Sequence, residues 1–244
     1  MVRFVGAGPG AADLITIRGA KLLREADVVI YAGSLIHQDV LNMTKPGCIC
    51  YNSANMSLEE IIEIIKQAET RCCKIVRLHS GDPSLYGAIR EQTDALDALG
   101  IAWDDTPGVS SFCGAAAALG LEYTPLGISQ SVIITRLSGR TKVPERERLR
   151  ELARHGASMA VFLSAGMLER VQSELLDSGG YNKNTPAAIV YKATWPGEEL
   201  IIRCTVGTLA ESGEKAGISR TALILIGDFL KPVDYQRSVL YSEK

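Results

Sequence analysis

Arg77-Leu78-His79-Ser80-Gly81-Asp82-Pro83-Ser84-Leu85-Tyr86-Gly87 reads as the end of a strand, a sharp turn and the approach to a helix. The strand begins at Lys74-Ile75-Val76, a short β-branched and apolar run of the kind that is buried in a sheet. Gly81-Asp82-Pro83 breaks it, and apolar residues then recur at helical spacing from Leu85 to Leu99, where Gly100 supplies a C-terminal stop. In open α/β sheets, ligands bind outside the carboxyl ends of the strands, which is where this turn falls. Gly81 permits close backbone approach, and Asp82 puts a carboxylate near exposed amides and any cationic ligand. Taken alone, Gly-Asp-Pro fits a plain β-turn with a helix cap as well as a binding turn. The full eleven-residue run favours the binding turn.

Working back towards the N-terminus, the same strand-turn-helix grammar repeats. Residues 2–6 form a first strand that runs into Gly6-Ala7-Gly8-Pro9-Gly10. This resembles a dinucleotide fingerprint, but position 11 is Ala where the third glycine belongs, and Pro9 removes an amide that a phosphate cradle would use. The second strand, residues 26–31, ends at Tyr31-Ala32-Gly33-Ser34 without the acidic residue that grips an adenosine ribose. Between them, residues 17–26 have helical spacing. Residues 35–43 predict a short helix and residues 48–51 a short strand. Ser57-Leu58-Glu59-Glu60 is a capping box that starts a helix running to about Thr70.

Working forward, residues 101–105 predict a strand ending at Thr106-Pro107-Gly108-Val109-Ser110-Ser111. There Ser110 or Ser111 can cap a helix over 112–119. Five β–α alternations imply a mainly parallel five-stranded sheet covered by helices. Pro125 and Gly127 interrupt residues 121–130, which lack any apolar period and predict a linker between an N-terminal domain (1–120) and a C-terminal domain (131–230). In the second domain, strands are expected at 131–136, 159–163, 187–191, 200–204 and 222–227. Helices are expected at 145–154, begun by Pro144, and at 167–177 and 208–216. The mixture of hairpin and βα connections predicts a mixed sheet. Residues 231–244 read as a loosely held tail.

Bulk composition narrows the function classes. The 244 residues are 46% hydrophobic with a net charge of −2, enough for real cores and too neutral for a nucleic-acid-binding field. No apolar stretch reaches the roughly 18 residues of a membrane span, and the N-terminus enters a strand directly, so a cytoplasmic chain without membrane attachment is expected. The six cysteines have no zinc-knuckle spacing; Cys72 and Cys73 are adjacent and Cys48-x-Cys50 alternates strand faces. Free thiols in a reducing compartment, with no metal, are the expectation.

Together, Val5-Gly6-Ala7-Gly8-Pro9-Gly10, Ser80-Gly81-Asp82-Pro83-Ser84-Leu85-Tyr86-Gly87, Pro107-Gly108-Val109-Ser110-Ser111 and Pro186-Ala187-Ala188-Ile189-Val190 resemble the tetrapyrrole (corrin/porphyrin) methyltransferase family. The likeness covers nearly the whole chain. It implies two α/β domains with S-adenosyl-L-methionine in a cleft between them, S-adenosyl-L-homocysteine as product, and a homodimer. Tyr31-Ala32-Gly33-Ser34-Leu35, the long run from Arg77 to Gln92, Gln130 to Glu145, and Lys192-Ala193-Thr194-Trp195-Pro196 narrow the likeness to methylation of C11 of a corrinoid tetrapyrrole in cobalamin biosynthesis. The substrate is then precorrin-4 or its cobalt form. Methylation of uroporphyrinogen III, precorrin-2 or precorrin-3 remains open, because the cofactor motifs are shared. A nicotinamide or flavin oxidoreductase and a non-catalytic corrinoid carrier are the readings from other classes.

Matched motif by motif, the resemblance implies cofactor contacts at Pro9, Ser80, Gly81, Asp82, Leu85, Ser110 and Ser111. In the second domain it implies contacts at Leu163, Ala165, Ala188, Thr221 and Ala222. Sulfonium is already a strong methyl donor, so alignment and exclusion of water are what the protein must add. No Ser-His-Asp or Cys-His constellation has catalytic spacing. Of the three histidines, only His79 adjoins a motif; it reads as a general base or as a packed strand-end residue. Arg136, Arg140 and Lys142 could hold the substrate's carboxylates, or form an ordinary solvated loop.

Overall fold

Val2–Gly6 (β1) carries buried Val2, Phe4 and Val5 and pairs with parallel strands on both sides, which is why it reads as continuously apolar. The computed structural model describes residues 1–139 and 141–231. After β1 come Ile17–Glu25 (α1), Val28–Tyr31 (β2), Gln38–Leu41 (α2), Ile49–Asn52 (β3) and Leu58–Thr70 (α3). Ile75–His79 (β4), Ile89–Ala98 (α4), Trp103–Thr106 (β5) and Ser111–Leu119 (α5) follow. The five strands form one wholly parallel sheet in the order β3-β2-β4-β1-β5. One face packs on α1 and α2 through Ala20, Leu23 and Val40, the other on α3 and α4 through Ile61, Ile65 and Leu96. The connection leaving β1 heads towards β2, and the one leaving β4 heads towards β5. Their turns therefore diverge at the β1/β4 border, where such sheets open a crevice.

The second set of strands is Val132–Arg136 (β6), Ser158–Phe162 (β7), Pro186–Tyr191 (β8), Leu200–Thr205 (β9) and Ala222–Ile226 (β10). They form a mixed sheet, β6-β7-β10-β8-β9, in which only β6 and β7 pair in parallel. Leu149–Ala153 (α6), Leu168–Asp177 (α7) and Leu209–Lys215 (α8) cover it around a core that includes Met159, Val171, Leu175, Ile189 and Ile224. The expected α/β class, with one parallel and one mixed five-stranded sheet, is what the structure has.

The chain divides into two compact units. One holds Met1–Gly114 with Thr194–Gly197, and the other Ala115–Ala193 with the chain from Glu198 on. The change falls inside α5, and residues 121–130 dock in the second unit. There Ser158 Oγ donates to the Tyr123 carbonyl at 2.6 Å, the Tyr123 ring lies 5.0 Å from Phe229, and Ser158 N donates to Ser129 Oγ at 3.0 Å. Two expected helices are shorter. The one expected from Leu85 starts at Ile89, because Tyr86 and Ala88 adopt left-handed backbone with φ of 58° and 48°. The one expected from Glu145 is split, because Arg148 is extended at ψ 144° between a 3-10 turn and α6. Of residues 35–43, Gln38–Leu41 is α-helical and Leu35 closes a 3-10 turn. The tail expected at 231–244 lies outside the described residues beyond Lys231.

Candidate functional site

Three turns at the carboxyl end of the parallel sheet are laced together by backbone. Gly8 and Gly81 exchange hydrogen bonds, Gly81 N to Gly8 O at 2.8 Å and Gly8 N to Gly81 O at 3.2 Å, while Ala7 N donates to His79 O at 2.8 Å. Gly6 and Gly108 sit where no side chain fits. A Cβ on Gly6 would stand 2.5 Å from Gly108 N, and one on Gly108 only 2.2 Å from Gly81 O. The motifs after β1, β4 and β5, up to 102 residues apart in sequence, thus converge on one another through glycine.

Asp82 fastens this assembly. Its carboxylate accepts from Gly108 N at 2.8 Å and Ser84 N at 2.9 Å, and from the Ser84 hydroxyl in a shorter contact. Partial burial works to raise its pKa, but the bonds from Ser84 and Gly108 outweigh that and hold it below the ordinary carboxylate value. Asp82 is expected near exposed amides and any cationic ligand, and the structure has it accepting the amides of Ser84 and Gly108 across two turns. Beside it stands Asp105, at the end of β5, whose pKa is raised by burial and, second, by the Asp82 charge. Among the described residues neither carboxylate has an ion-pair partner. Nothing singled Asp105 out in the sequence, although an acid two residues before Pro107-Gly108, next to the last residue of β5, is a usable signal.

The other expected cofactor residues of the first unit surround this clasp. Ser80 and Leu85 are half-buried, and Leu85 N donates to Asp82 O at 3.3 Å. Pro9 packs on α5, where a Cβ on Gly114 would lie 2.5 Å from its own Cβ. Ser110 is buried, its carbonyl accepting Gly114 N at 3.1 Å, and Ser111 opens α5 beside Gly81. His79 is enclosed instead of facing the turns. It is 4% exposed, lies 5.9 Å from the Phe4 ring, and its Nε2 has no hydrogen-bond partner. Burial first, and the neighbouring Arg77 second, push its pKa down to about 3, so it is a neutral core residue at physiological pH. That removes the geometric basis for a general-base role.

In the second unit, Leu163 follows β7 with φ 53° and is 65% exposed, an unusual place for a large apolar side chain in left-handed backbone. Ala165 is buried in the 3-10 turn that follows. Ala188 is fully buried in β8, paired with Leu225 and Arg203, so its side chain serves packing. Thr221 and Lys192 are both left-handed, joined by Lys192 N to Thr221 O at 2.9 Å, and Ala222 starts β10 opposite Tyr191. Arg136 ends β6 and donates to Thr141 O at 2.9 Å and Lys142 O at 3.2 Å, so it braces the basic loop as well as charging it. Lys142 is exposed; Arg140 lies outside the described residues. The cysteines form no disulfide; burial pushes Cys204 up to about 11.

Among the described residues the carboxylates of Asp82 and Asp105 have no ion-pair partner, so the turns carry a negative field that favours a cation and repels a pyrophosphate. Over 242 residues, 99% of this chain and 93% of the relative, it is 50% identical to the cobalt-precorrin-4 C(11)-methyltransferase of Methanocaldococcus jannaschii. The X-ray structure of a cobalamin biosynthetic enzyme, cobalt precorrin-4 methyltransferase, superposes with a TM-score of 0.91 at 44% identity, covering 95% of this chain and 96% of that one. A uroporphyrin-III C-methyltransferase from Thermus thermophilus, solved with S-adenosylhomocysteine, superposes with a TM-score of 0.78 at 28% identity, covering 94% of this chain and 98% of that one. Residues 1–210 match the family model of tetrapyrrole (corrin/porphyrin) methylases, and the chain belongs to that family.

Proposed function

We propose that this chain is an S-adenosylmethionine-dependent C-methyltransferase that acts on C11 of precorrin-4 or cobalt-precorrin-4 in corrin ring biosynthesis. The observation that carries this reading is the glycine-laced junction of three turns with its two cation-free carboxylates, in a chain half identical to a relative named for that reaction. Bound here, S-adenosylmethionine would supply an activated methyl: a ring carbon would form the new C–C bond, the sulfur would keep the electron pair of the broken S–C bond, and the charge passed to the ring would leave as a proton to solvent. The protein's part is then alignment and water exclusion, worth more here than acid–base chemistry. The turn backbone at Pro9, Ser80, Gly81, Ser110 and Ser111 holds the adenosine and amino-acid ends, with Leu85 as an apolar contact. The carboxylates of Asp82 and Asp105 supply a field that favours the positive charge. Leu163, Ala165, Ala188, Thr221 and Ala222 of the second unit contribute further cofactor contacts. Arg136, Arg140 and Lys142 receive the acetate and propionate carboxylates of the tetrapyrrole. A cytoplasmic homodimer completes the reading.

Calorimetry with S-adenosylhomocysteine and with NADH tests the cofactor, and turnover of precorrin-4, its cobalt complex and uroporphyrinogen III tests the substrate. Saturable binding of the thioether alone, with a singly methylated product from either precorrin-4 form, is expected. Binding of NADH without the thioether would return the chain to the oxidoreductase reading, and turnover of uroporphyrinogen III alone would reassign the methylated carbon.

A further inference from the structure

Arg77 is a buried cation, 6% exposed, in the middle of β4 and paired in register with Ile30 and Phe4 of the neighbouring strands. Among the described residues no carboxylate lies within ion-pair distance of it. Its Nε donates to Gln92 Oε1 at 2.8 Å and its Nη1 to the Ile30 carbonyl at 3.1 Å. His79, on the same face of the strand, stays neutral, so the guanidinium is the only charge the two contribute to this interior. Burying an ion without a counter-ion is costly, and a fold seeking only stability would place an apolar side chain here.

The second end of Gln92 shows what the arrangement reaches. Its Nε2 donates to the Ala88 carbonyl at 3.1 Å, and Gln92 itself is 5% exposed on α4. Ala88 is left-handed, Tyr86 is left-handed, and between them Gly87 sits so close that a Cβ would stand 2.2 Å from Pro83 O. Left-handed alanine and tyrosine are disfavoured, each costing an amount that surrounding bonds must offset. A continuous relay therefore runs from the Ile30 carbonyl through Arg77 and Gln92 to the strained turn that follows Ser80-Gly81-Asp82-Pro83.

We infer that Arg77 and Gln92 are positioning residues that hold the turn of residues 84–88, with its left-handed Tyr86 and Ala88, and so set Leu85 for cofactor binding. Arg77 fixes the side-chain rotamer of Gln92 by occupying its oxygen, which leaves the amide N–H groups aimed at the turn. Gln92 is a better tool for this than a carboxylate. Glutamate would satisfy Arg77 more fully but could not donate to the Ala88 carbonyl. The chain thus forgoes an ion pair in its core in order to keep a donor for the turn. This rests on the methyltransferase reading, in which Leu85 touches the cofactor.

The substitution Gln92→Glu separates placement from folding. It should keep or raise the thermal midpoint, because Arg77 gains a counter-ion. S-adenosylhomocysteine should bind roughly three- to tenfold more weakly, the worth of one internal hydrogen bond. Amides of residues 84–88 should exchange faster with deuterium while those of β4 do not. Affinity within twofold of the wild type overturns the inference. Should Gln92→Glu lower the midpoint, Gln92→Met decides by the same binding and exchange measurements: an affinity loss with faster exchange confined to 84–88 supports it, and affinity within twofold overturns it. Wild-type protein that binds no S-adenosylhomocysteine sinks the functional reading itself and this inference with it, whereas normal wild-type binding with an unaltered Gln92→Glu sinks the relay alone.

Discussion

The carboxyl end of the first sheet is shaped by backbone, and the corresponding strand ends of the second sheet by side chains. In the first unit, three turns meet through glycines 6, 81 and 108 and a carboxylate that accepts main-chain N–H groups. In the second, the strand ends present Arg136, an exposed Leu163 and the paired left-handed residues Lys192 and Thr221. A surface made of backbone recognises what every member of a reaction class shares, because main-chain groups cannot vary. A surface made of side chains can change with each substrate. Under the proposed function, the shared cofactor falls chiefly to the first region and substrate choice chiefly to the second.

The sharpest way to break that contrast is Gly108→Ala. Its Cβ would collide with Gly81 O and with Gly6 Cα, 2.2 and 2.7 Å away, and neither atom is the end of a flexible side chain. The turns must part, costing about 1–3 kcal/mol of stability and abolishing measurable S-adenosylhomocysteine binding. A folded variant with near-normal affinity would show that the junction is not the cofactor's platform. Next in size is Asp82→Ala, which leaves Gly108 N–H and Ser84 N–H without their acceptor. A lost charge-assisted bond is worth about 1.5–3 kcal/mol, so affinity should fall roughly ten- to a hundredfold while circular dichroism is unchanged. The pH dependence has a definite sign. Because the folded carboxyl sits below its ordinary 3.8, its contribution is fully present above that value and is lost only as pH falls through the lower folded one. Cofactor affinity should therefore hold from neutral pH down to about 5.

The mildest change is expected from Arg136→Ala, which removes a half-buried guanidinium and two bonds to the loop carbonyls of Thr141 and Lys142. The substrate KM should rise about three- to tenfold with S-adenosylhomocysteine affinity unaltered. The reverse pattern, weaker cofactor with unchanged KM, would erase the division of labour between the two regions.

Local signals carried much of this into the sequence. The capping box at Ser57 and Glu60 is formed by reciprocal bonds of 3.3 and 2.7 Å, and the helix it starts runs from Leu58 to Thr70 as its spacing predicts. Alternation of apolar strands with helices likewise fixed the parallel character of the first sheet. Long-range relations were not legible. Gly6 and Gly108 need glycine because of each other, a fact that no window of residues contains. Asp105 owes its raised pKa first to burial and second to the charge of Asp82, both set by the fold and not by its sequence neighbours. The left-handed Tyr86 and Ala88 contradict the helical spacing that begins at Leu85, and the Gln92 bond to the Ala88 carbonyl, itself fixed by Arg77, is a relation no local window contains. Arg136 read as one of three equivalent cations, and its bracing of the loop depends on a fold-back that charge alone does not announce.

The first unit is not contiguous in the chain. Thr194–Gly197 belongs to it, with Ala11 N donating to Thr194 Oγ1 at 3.1 Å and the Trp195 ring 5.0 Å from His37. During synthesis, Gly114 therefore leaves the ribosome eighty residues before Thr194 does. At about 5–20 residues per second that is a wait of roughly 4–16 s. For that interval the nascent first unit exists with its own sheet complete and its last four residues unmade. The edge contact on the His37 ring forms only once translation delivers Trp195.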